Sequence, residues 1–539
     1  MKERYRTSII VLIIIIAAVA AYVRGISAPF QFDDERDIVY RSEVARGVIA
    51  AAESSPYRAL TYATYAIDWK LGKGRPNCFH VTNLFIHIAA SLLLFFVISR
   101  VFKTSNLTEE IAAAVVSLGF AIHPLGVASA SYISGRAGLL SGFFGLLSIW
   151  IWEGRKFRGR WGTLAVVEAL ALLAKEDAVV IPVLLAAVSI IERRKDFKEL
   201  VPSFLISMIY GALRVFSHPV VVSEPGREIS YASHLLMQPY VYCRAILMWL
   251  WPIGLSLDHH PAPISGLTDA RIWLCGFAII ILFLLALLAI RKGQKTIGLS
   301  AAWFIFALSP GAIIPLADPV SENRWYFAMA GLSILIAVAV NWVLDHKKTA
   351  GVALGILYLS CLFLSAYSRV EVSSDPSSLW AQSVELYPNA ARPWSNFAMA
   401  RQRDGAFQGA EFAARRAIAI EKNDAAAWNT LGLALKNTGK FDEALEAYRQ
   451  AIFYDKNLFV AYTNQANILA ATDKLAEAEY SYREALKISP DDPDANYGLA
   501  WVLAKTGHKN EAIRRLKNIL DKTEDEQARQ LLNKLINNQ

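Results

Sequence analysis

The sequence predicts an all-α protein in two parts. A polytopic helical membrane domain of 11 or 12 spans comes first, and a superhelix of short helical repeats follows. Three observations carry this. The 539 residues are 55% hydrophobic with mean hydropathy +0.32, too apolar for an ordinary soluble domain. Apolar runs recur near 8–24, 80–100, 109–125, 129–152, 161–175, 177–192, 199–217, 236–253, 271–290, 297–316, 325–343 and 350–367. Each is near the length that a tilted helix needs to cross roughly 30 Å of hydrocarbon, those at 161–175 and 177–192 being short. After Val370 the composition turns soluble and repeats every 34 residues.

Met1–Tyr22 has a basic start, an apolar core and small residues at Ala20-Ala21, as a secretory signal would. Its length and the many spans behind it favour a retained anchor. Loop charges then assign sides. Lys2, Arg4 and Arg6; Arg100 and Lys103; Arg155, Lys156, Arg158 and Arg160; Arg193, Arg194, Lys195 and Lys198; Arg291, Lys292 and Lys295; and Lys347 with Lys348 all belong inside by the positive-inside rule. The labelling fails once: if 236–253 spans, the Arg291 cluster moves outside. A re-entrant or interfacial 236–253, with Trp249, Trp251 and Pro252 near the headgroups, gives 11 spans and an outer carboxy terminus. Twelve spans is the alternative. The net charge of +8 then reflects topology, and nucleic acid is not an expected partner. Four scattered cysteines, Cys78, Cys243, Cys275 and Cys361, form no disulfide or zinc framework. Asn106-Leu107-Thr108 matches a glycosylation acceptor but falls on the inner side.

In the second part Trp394, Trp428, Tyr462 and Asn496 form one 34-residue series. Ala410, Ala444, Ala478 and Ala512 form another, and Ala414, Tyr448, Tyr482 and Leu516 a third. Large residues alternating with small ones at this period are the packing positions of tetratricopeptide repeats. The expected domains are 1–370, with a first outer loop at 25–79, and 371–539. The latter holds a partial repeat at 375–390, full repeats starting near 391, 425, 459 and 493, and a polar cap helix. Trp394, Trp428 and Tyr462 serve packing and flank a groove that would hold an acceptor.

Under this topology the polar groups in or beside spans converge on the outer face. They are Asp33 and Asp34 after the first span, Arg58, His80 with Asn83 and His87, His123, Arg136, Lys175-Glu176-Asp177, Arg214 with His218, Asp258-His259-His260, and Asp318, Glu322 and Arg324. An ionisable side chain inside a span costs about 2.5–3.5 kcal/mol or more, so such convergence indicates a polar site. Plain alternatives stand beside it: a neutralised turn at Lys175–Asp177, a helix-locking Glu322/Arg324 ion pair, hydrogen-bonded His80 and His87, and a solvated His259-His260 loop.

The ordered set Phe30–Asp37, Arg58-Ala59-Leu60-Thr61, Phe79-His80-Val81-Thr82-Asn83 with His87, Ala121-Ile122-His123-Pro124, Ile133-Ser134-Gly135-Arg136-Ala137, Leu173–Ala178 and Glu322-Asn323-Arg324-Trp325-Tyr326 resembles the transmembrane and tetratricopeptide repeat-containing O-mannosyltransferases. The resemblance covers nearly the whole chain; Ala59 departs from the family's usual Pro, and the 258–260 region is only loosely similar. It implies a GT-C fold, a polyprenyl- or dolichyl-phosphate sugar donor, an outer-face site and a catalytic base in the first-loop acidic motif. A bacterial inner-membrane protein with its site and repeats on the periplasmic side is expected.

The residues fit that chemistry. A glycosidase needs two carboxylates because its leaving alcohol must be protonated. A phosphate leaving group needs only one base and cations for the departing charge. Asp33 or Asp34 would deprotonate a Ser/Thr hydroxyl. Arg58, His80, His123, Arg136, Lys175, Glu176, Asp177, Arg214, Glu322 and Arg324 are candidates for binding donor phosphate and sugar. A divalent cation held by Asp33/Asp34 and the Glu176/Asp177 turn is possible, metal-independent catalysis being preferred. A lipid or envelope polysaccharide as acceptor, and a non-enzymatic scaffold with a protein-binding arm, are the competing functions.

Overall fold

The computed structural model describes residues 2–102, 106–154, 156–217, 230–261, 264, 266–314, 318–520 and 525–537. Among them there are helices and turns and no strands. His218, Lys103 and Arg155 lie outside the described residues. The chain divides into Met1–Asp375 and Pro376–Gln539. The division falls beyond the expected 370 because the helix Lys348–Ser374 runs unbroken through it.

Among the described residues each of the twelve apolar runs is largely helical. Among the described residues eight helices are long and apolar enough to cross a membrane: Tyr5–Ser27, Pro76–Phe102, Ile133–Glu153, Phe197–Ser217, Ala270–Arg291, Lys295–Ile313, Tyr326–His346 and Thr349–Ser374. A ninth is possible, because Leu107–Ala121 and Pro124–Ala130 form one segment bent by 45°. The count of 11 or 12 is thus not reached by length and composition. Arg160–Ala174 and Ile181–Glu192 have only 15 and 12 residues. Tyr231–Leu250 has 20 but is interrupted by Pro239 and carries His234, Gln238 and Arg244. The bend follows from Pro124, which has no N–H to continue the ladder. The His123 ring accepts the Leu125 N–H instead (3.1 Å).

Buried Trp152, Trp303 and Trp325 are among the largest core side chains. Close approach is bought by small residues: a Cβ on Gly138 would meet the Asn323 carbonyl at 2.8 Å, so Gly138 lets the 322–324 turn settle on the helix Arg136–Glu153. Basic side chains of three loops gather at the carboxy-terminal end of the helix Arg136–Glu153. There Arg160 pairs with Asp196 (2.6 Å) and Glu199 (2.7 Å), and Arg194 with Glu153 (2.8 Å). Arg100 bonds the Trp150 carbonyl. Asn106 caps the helix Leu107–Ala121 by accepting the Glu109 N–H.

The second unit begins with Pro376–Leu386, followed by helix pairs Ala391–Arg403/Phe407–Ile420, Ala425–Asn437/Phe441–Tyr454, Phe459–Ala471/Leu475–Ile488 and Pro493–Lys505/Lys509–Leu520, and the final helix Glu526–Asn537. Each pair packs an alanine-rich seam: Ala410, Ala444, Ala478 and Ala512 are fully buried. The Trp394 and Trp428 indoles donate to the carbonyls of Pro388 and Lys422, and Asn496 donates to Pro490 (2.8–2.9 Å). Each bond reaches six residues back, so these three members of the series pin their entering turns. A Cβ on Gly498 would lie 2.3 Å from the Tyr482 ring, whose hydroxyl is held by Asn467 (2.6 Å). Gly498→Ala therefore overpacks a fixed ring and should cost about 1–3 kcal/mol, read as a lower melting temperature of the full chain by circular dichroism.

Candidate active site

At the end opposite the basic loops, segments distant in sequence meet through hydrogen bonds. The acidic loop is held first. Phe32 adopts a left-handed backbone conformation (φ +54°), uncommon for a bulky residue and a local strain. The turn presents the Asp33 N–H to the Tyr132 hydroxyl (2.9 Å). The two carboxylates then part company. Asp34 is 1% exposed; its Oδ1 accepts the Ser134 N–H (2.8 Å) and hydroxyl (2.6 Å), and its Oδ2 the Gln31 N–H (3.3 Å). Burial pushes this carboxyl up to about 7, against the pull of the Ser134 bonds. The Asp33 side chain is 34% exposed and meets Arg36 at 3.1 Å. Gln31 also donates to the Ser373 carbonyl (2.8 Å), tying the loop to the end of the last span.

Two residues past Ser134, Arg136 is fully buried. Its guanidinium pairs with Asp68 (2.6 Å) and donates to Asn83 Oδ1 (2.7 Å), the Phe79 carbonyl (2.8 Å) and Thr64 (3.2 Å). Every direction is spent on protein, so here Arg136 shapes the site rather than facing it. His80 and His123 are likewise buried. His80 donates to the Ala28 carbonyl (3.1 Å). His123 donates to the Trp249 carbonyl (2.9 Å) and stacks on that indole at 4.0 Å.

Glu322 is a second node, 3% exposed. Oε1 accepts the Ser256 N–H and His259 Nε2 (both 2.8 Å), and Oε2 pairs with Arg369 (2.6 Å). Arg369 also donates to the Pro124 carbonyl (2.6 Å). Burial opposes ionisation of Glu322, but Arg369 and the His259 bond prevail and hold it below the usual carboxylate value. His259 is thus in the interior and not in a solvated loop, and Glu322 is paired with Arg369 rather than Arg324.

The remaining cations form a third group. Arg58 grips Glu176 with both forks (2.6 and 3.1 Å). The Glu176 charge raises Arg58; in return, although burial would raise Glu176, Arg58 holds it down at about 2. Lys175 pairs with Asp177 (2.7 Å). Arg324 donates to the Asp318 carbonyl (2.6 Å); burial draws it below the usual guanidinium value, partly offset by Asp177 and Asp318. Arg214 lies 5.2 Å over the Tyr57 ring, and Tyr57 in turn bonds Leu213 and Tyr210. Neither Arg214 nor Arg324 has a carboxylate partner among the described residues. Tyr62 senses Asp37 and Arg36 on one side and Arg58 on the other, which makes the acidic loop and this group neighbours.

Sequence reasoning missed Asp68, Tyr132, Ser134, Tyr57, Tyr210 and Arg369. Asp68 alone carried a usable signal, the single carboxylate in the helix Ala59–Gly72. Trp394, Trp428 and Tyr462 are half-buried packing residues of the repeats. Among the described residues no three His, Cys, Asp or Glu side chains gather as a metal site; Glu176 and Asp177 are occupied by Arg58 and Lys175.

Fold and site together define a multi-span helical membrane protein with a charged, convergent site at one end and a tetratricopeptide-repeat unit. Tetratricopeptide repeat families match residues 429–493 and 469–535. The chain is 22% identical over 453 residues to protein O-mannosyl-transferase F38B6.6 of Caenorhabditis elegans, across 78% of this chain and 64% of that protein. It is 24% identical over 426 residues to the human protein O-mannosyl-transferase TMTC4, across 64% and 58%, and 22% identical over 413 residues to human TMTC3, across 66% and 43%. The chain is similar to these O-mannosyl-transferases and spans less than two thirds of their length.

Two outcomes follow from the geometry. Between the ordinary Asp value and about 7 the folded protein holds the Asp34 proton that the unfolded chain has lost, so stability falls as pH rises through that window. Thermal unfolding in detergent at pH 4.5 and 7.5 should show this fall in the wild type and a smaller one in Asp34→Asn. Asp68→Ala strands the buried Arg136 charge and should destabilise by about 3–5 kcal/mol, measured by the same unfolding assay.

Proposed function

We propose that the chain is a membrane glycosyltransferase that moves a sugar from a polyprenyl-phosphate carrier to Ser/Thr hydroxyls of a protein on the extracytoplasmic face. One observation carries the reading: of the adjacent acidic pair, Asp34 is consumed as a buried anchor while Asp33 is left accessible on a strained turn. A partly exposed carboxylate, paired with Arg36 beside a strained turn, suits a general base.

In this reading Asp33 takes the proton of the acceptor hydroxyl as its oxygen bonds the sugar C1. The C1–O bond to phosphate breaks, and the phosphate leaves without needing an acid. Arg214 and Arg324, which pair with no carboxylate among the described residues, receive its charge. Arg58 and Lys175, each tied to a carboxylate, set the shape and field of that group. Asp34, His80, His123, Arg136 and Glu322 position these elements. The names of the relatives support a protein acceptor and mannose as the sugar, and the repeats support capture of a protein.

Asp33→Asn should lower transfer about 10²–10⁴-fold with unfolding unchanged, whereas Asp34→Asn should lower transfer together with stability. Intact masses of surface proteins from cells carrying each variant check this. Loss of a hexose-sized increment supports the reading; an unchanged protein profile with altered lipid glycans points to a lipid or polysaccharide acceptor; no change in either leaves the scaffold.

A further inference from the structure

One buried ionisable side chain takes no part in the site. Glu168 lies in the helix Arg160–Ala174 and is 1% exposed. It stands eight residues from Arg160 and seven from Lys175, about 12 and 10 Å along the axis, midway between the charged ends. Oε1 accepts the Ser207 hydroxyl (2.7 Å), and Oε2 is buried with no hydrogen-bond partner. Among the described residues no cation pairs with it. A bare carboxylate at that depth costs far more than a carboxylic acid, so Glu168 carries its proton.

Ser207 belongs to the helix Val201–Ser217, which packs mainly against Arg160–Ala174. The only fully buried side chains of Val201–Ser217 are Ser203 and Ser207. The Ser203 hydroxyl, one turn from Ser207, is buried without a partner as well. Between helices in lipid, apolar contact barely selects a rotation, because the lipid tails offer the same contact; polar bonds weigh more. The Glu168–Ser207 bond therefore sets the rotation and height of this helix. What it aims follows from spacing. Ser203, Ser207, Tyr210 and Arg214 recur at i, i+4, i+7 and i+11, one stripe of a helix. Two turns beyond the bond, the stripe brings Tyr210 to the Tyr57 carbonyl (3.0 Å) and Arg214 over the Tyr57 ring (5.2 Å), next in sequence to Arg58. A helix turned by one residue, about 100°, would carry Arg214 off this face. We propose that Glu168 is a register pin: a positioning residue that acts through Arg214 and aims it at the donor's phosphate. The inference rests on the transferase reading for the identity of that phosphate.

The test uses the full chain in nanodiscs, titrated with a polyprenyl phosphate that carries no sugar and read by native mass spectrometry. Glu168→Leu and Arg214→Ala should each weaken binding about tenfold. The double variant should be no weaker than either single one, since one residue acts through the other. Glu168→Gln, a neutral amide that still accepts the Ser207 hydroxyl, should bind as the wild type does. Ser207→Ala removes the same bond from the other helix and should match Glu168→Leu, which covers a Leu variant that fails to fold. Additive losses, wild-type affinity in Ser207→Ala, or a Glu168→Gln variant as weak as Glu168→Leu overturns the proposal. Transfer from polyprenyl-phosphate mannose to a Ser/Thr peptide separates the two claims. Transfer lowered by Arg214→Ala but not by Ser207→Ala sinks the pin and keeps the transferase; coupled phosphate binding without transfer keeps the pin and sinks the transferase.

Discussion

The site end of the membrane unit depends on the buried guanidinium of Arg136. A charge taken out of water must be matched in full, and Arg136 is matched by Asp68, Asn83, Thr64 and the Phe79 carbonyl. Those partners come from two helices, Ala59–Gly72 and Pro76–Phe102, so one side chain locks both against the start of a third. It also fixes the turn just before it. Tyr132 and Ser134 lie in that turn, and they hold the acidic loop. The position of Asp33 is therefore a consequence of how Arg136 is satisfied two residues from Ser134.

Glu322 plays the matching part on the other side. It gathers the 256–259 loop and the last span through Arg369, which reaches on to the Pro124 carbonyl. With Gln31 bonded to Ser373, the helix that leads into the repeat unit is tied to both the acidic loop and the Glu322 turn. Such ties are strong because low dielectric magnifies each bond and penalises each unmade one. Arg214 and Arg324, which pair with no carboxylate among the described residues, stand out against this economy.

Much of the fold was legible because it follows from local periodicity. Each apolar run is a helix, and the 34-residue series fall on equivalent packing sites, down to Trp394, Trp428 and Asn496 pinning their turns alike. The convergence of Asp33, Arg58, Glu176 and Arg324 at one end was also readable, since loop alternation places them there. Span count was less so, because the helices Arg160–Ala174 and Ile181–Glu192 have only 15 and 12 residues. Individual roles were hidden. Arg136 and Glu322 look like ligand-facing charges until Asp68 and Arg369 appear beside them, 68 and 47 positions away in sequence.

The sequence by itself determined that the chain is helical and membrane-embedded, that it ends in tetratricopeptide repeats, and that an acidic pair follows its first span. Hydropathy and repeat period act locally, so they survive without coordinates. Only the tertiary structure decided which of Asp33 and Asp34 is buried and which charges are already spent. That decision belongs to pairing in a medium of low dielectric, where a carboxylate's role is set by whichever donor the fold brings within 3 Å, and Ser134 comes to Asp34 from 100 residues away.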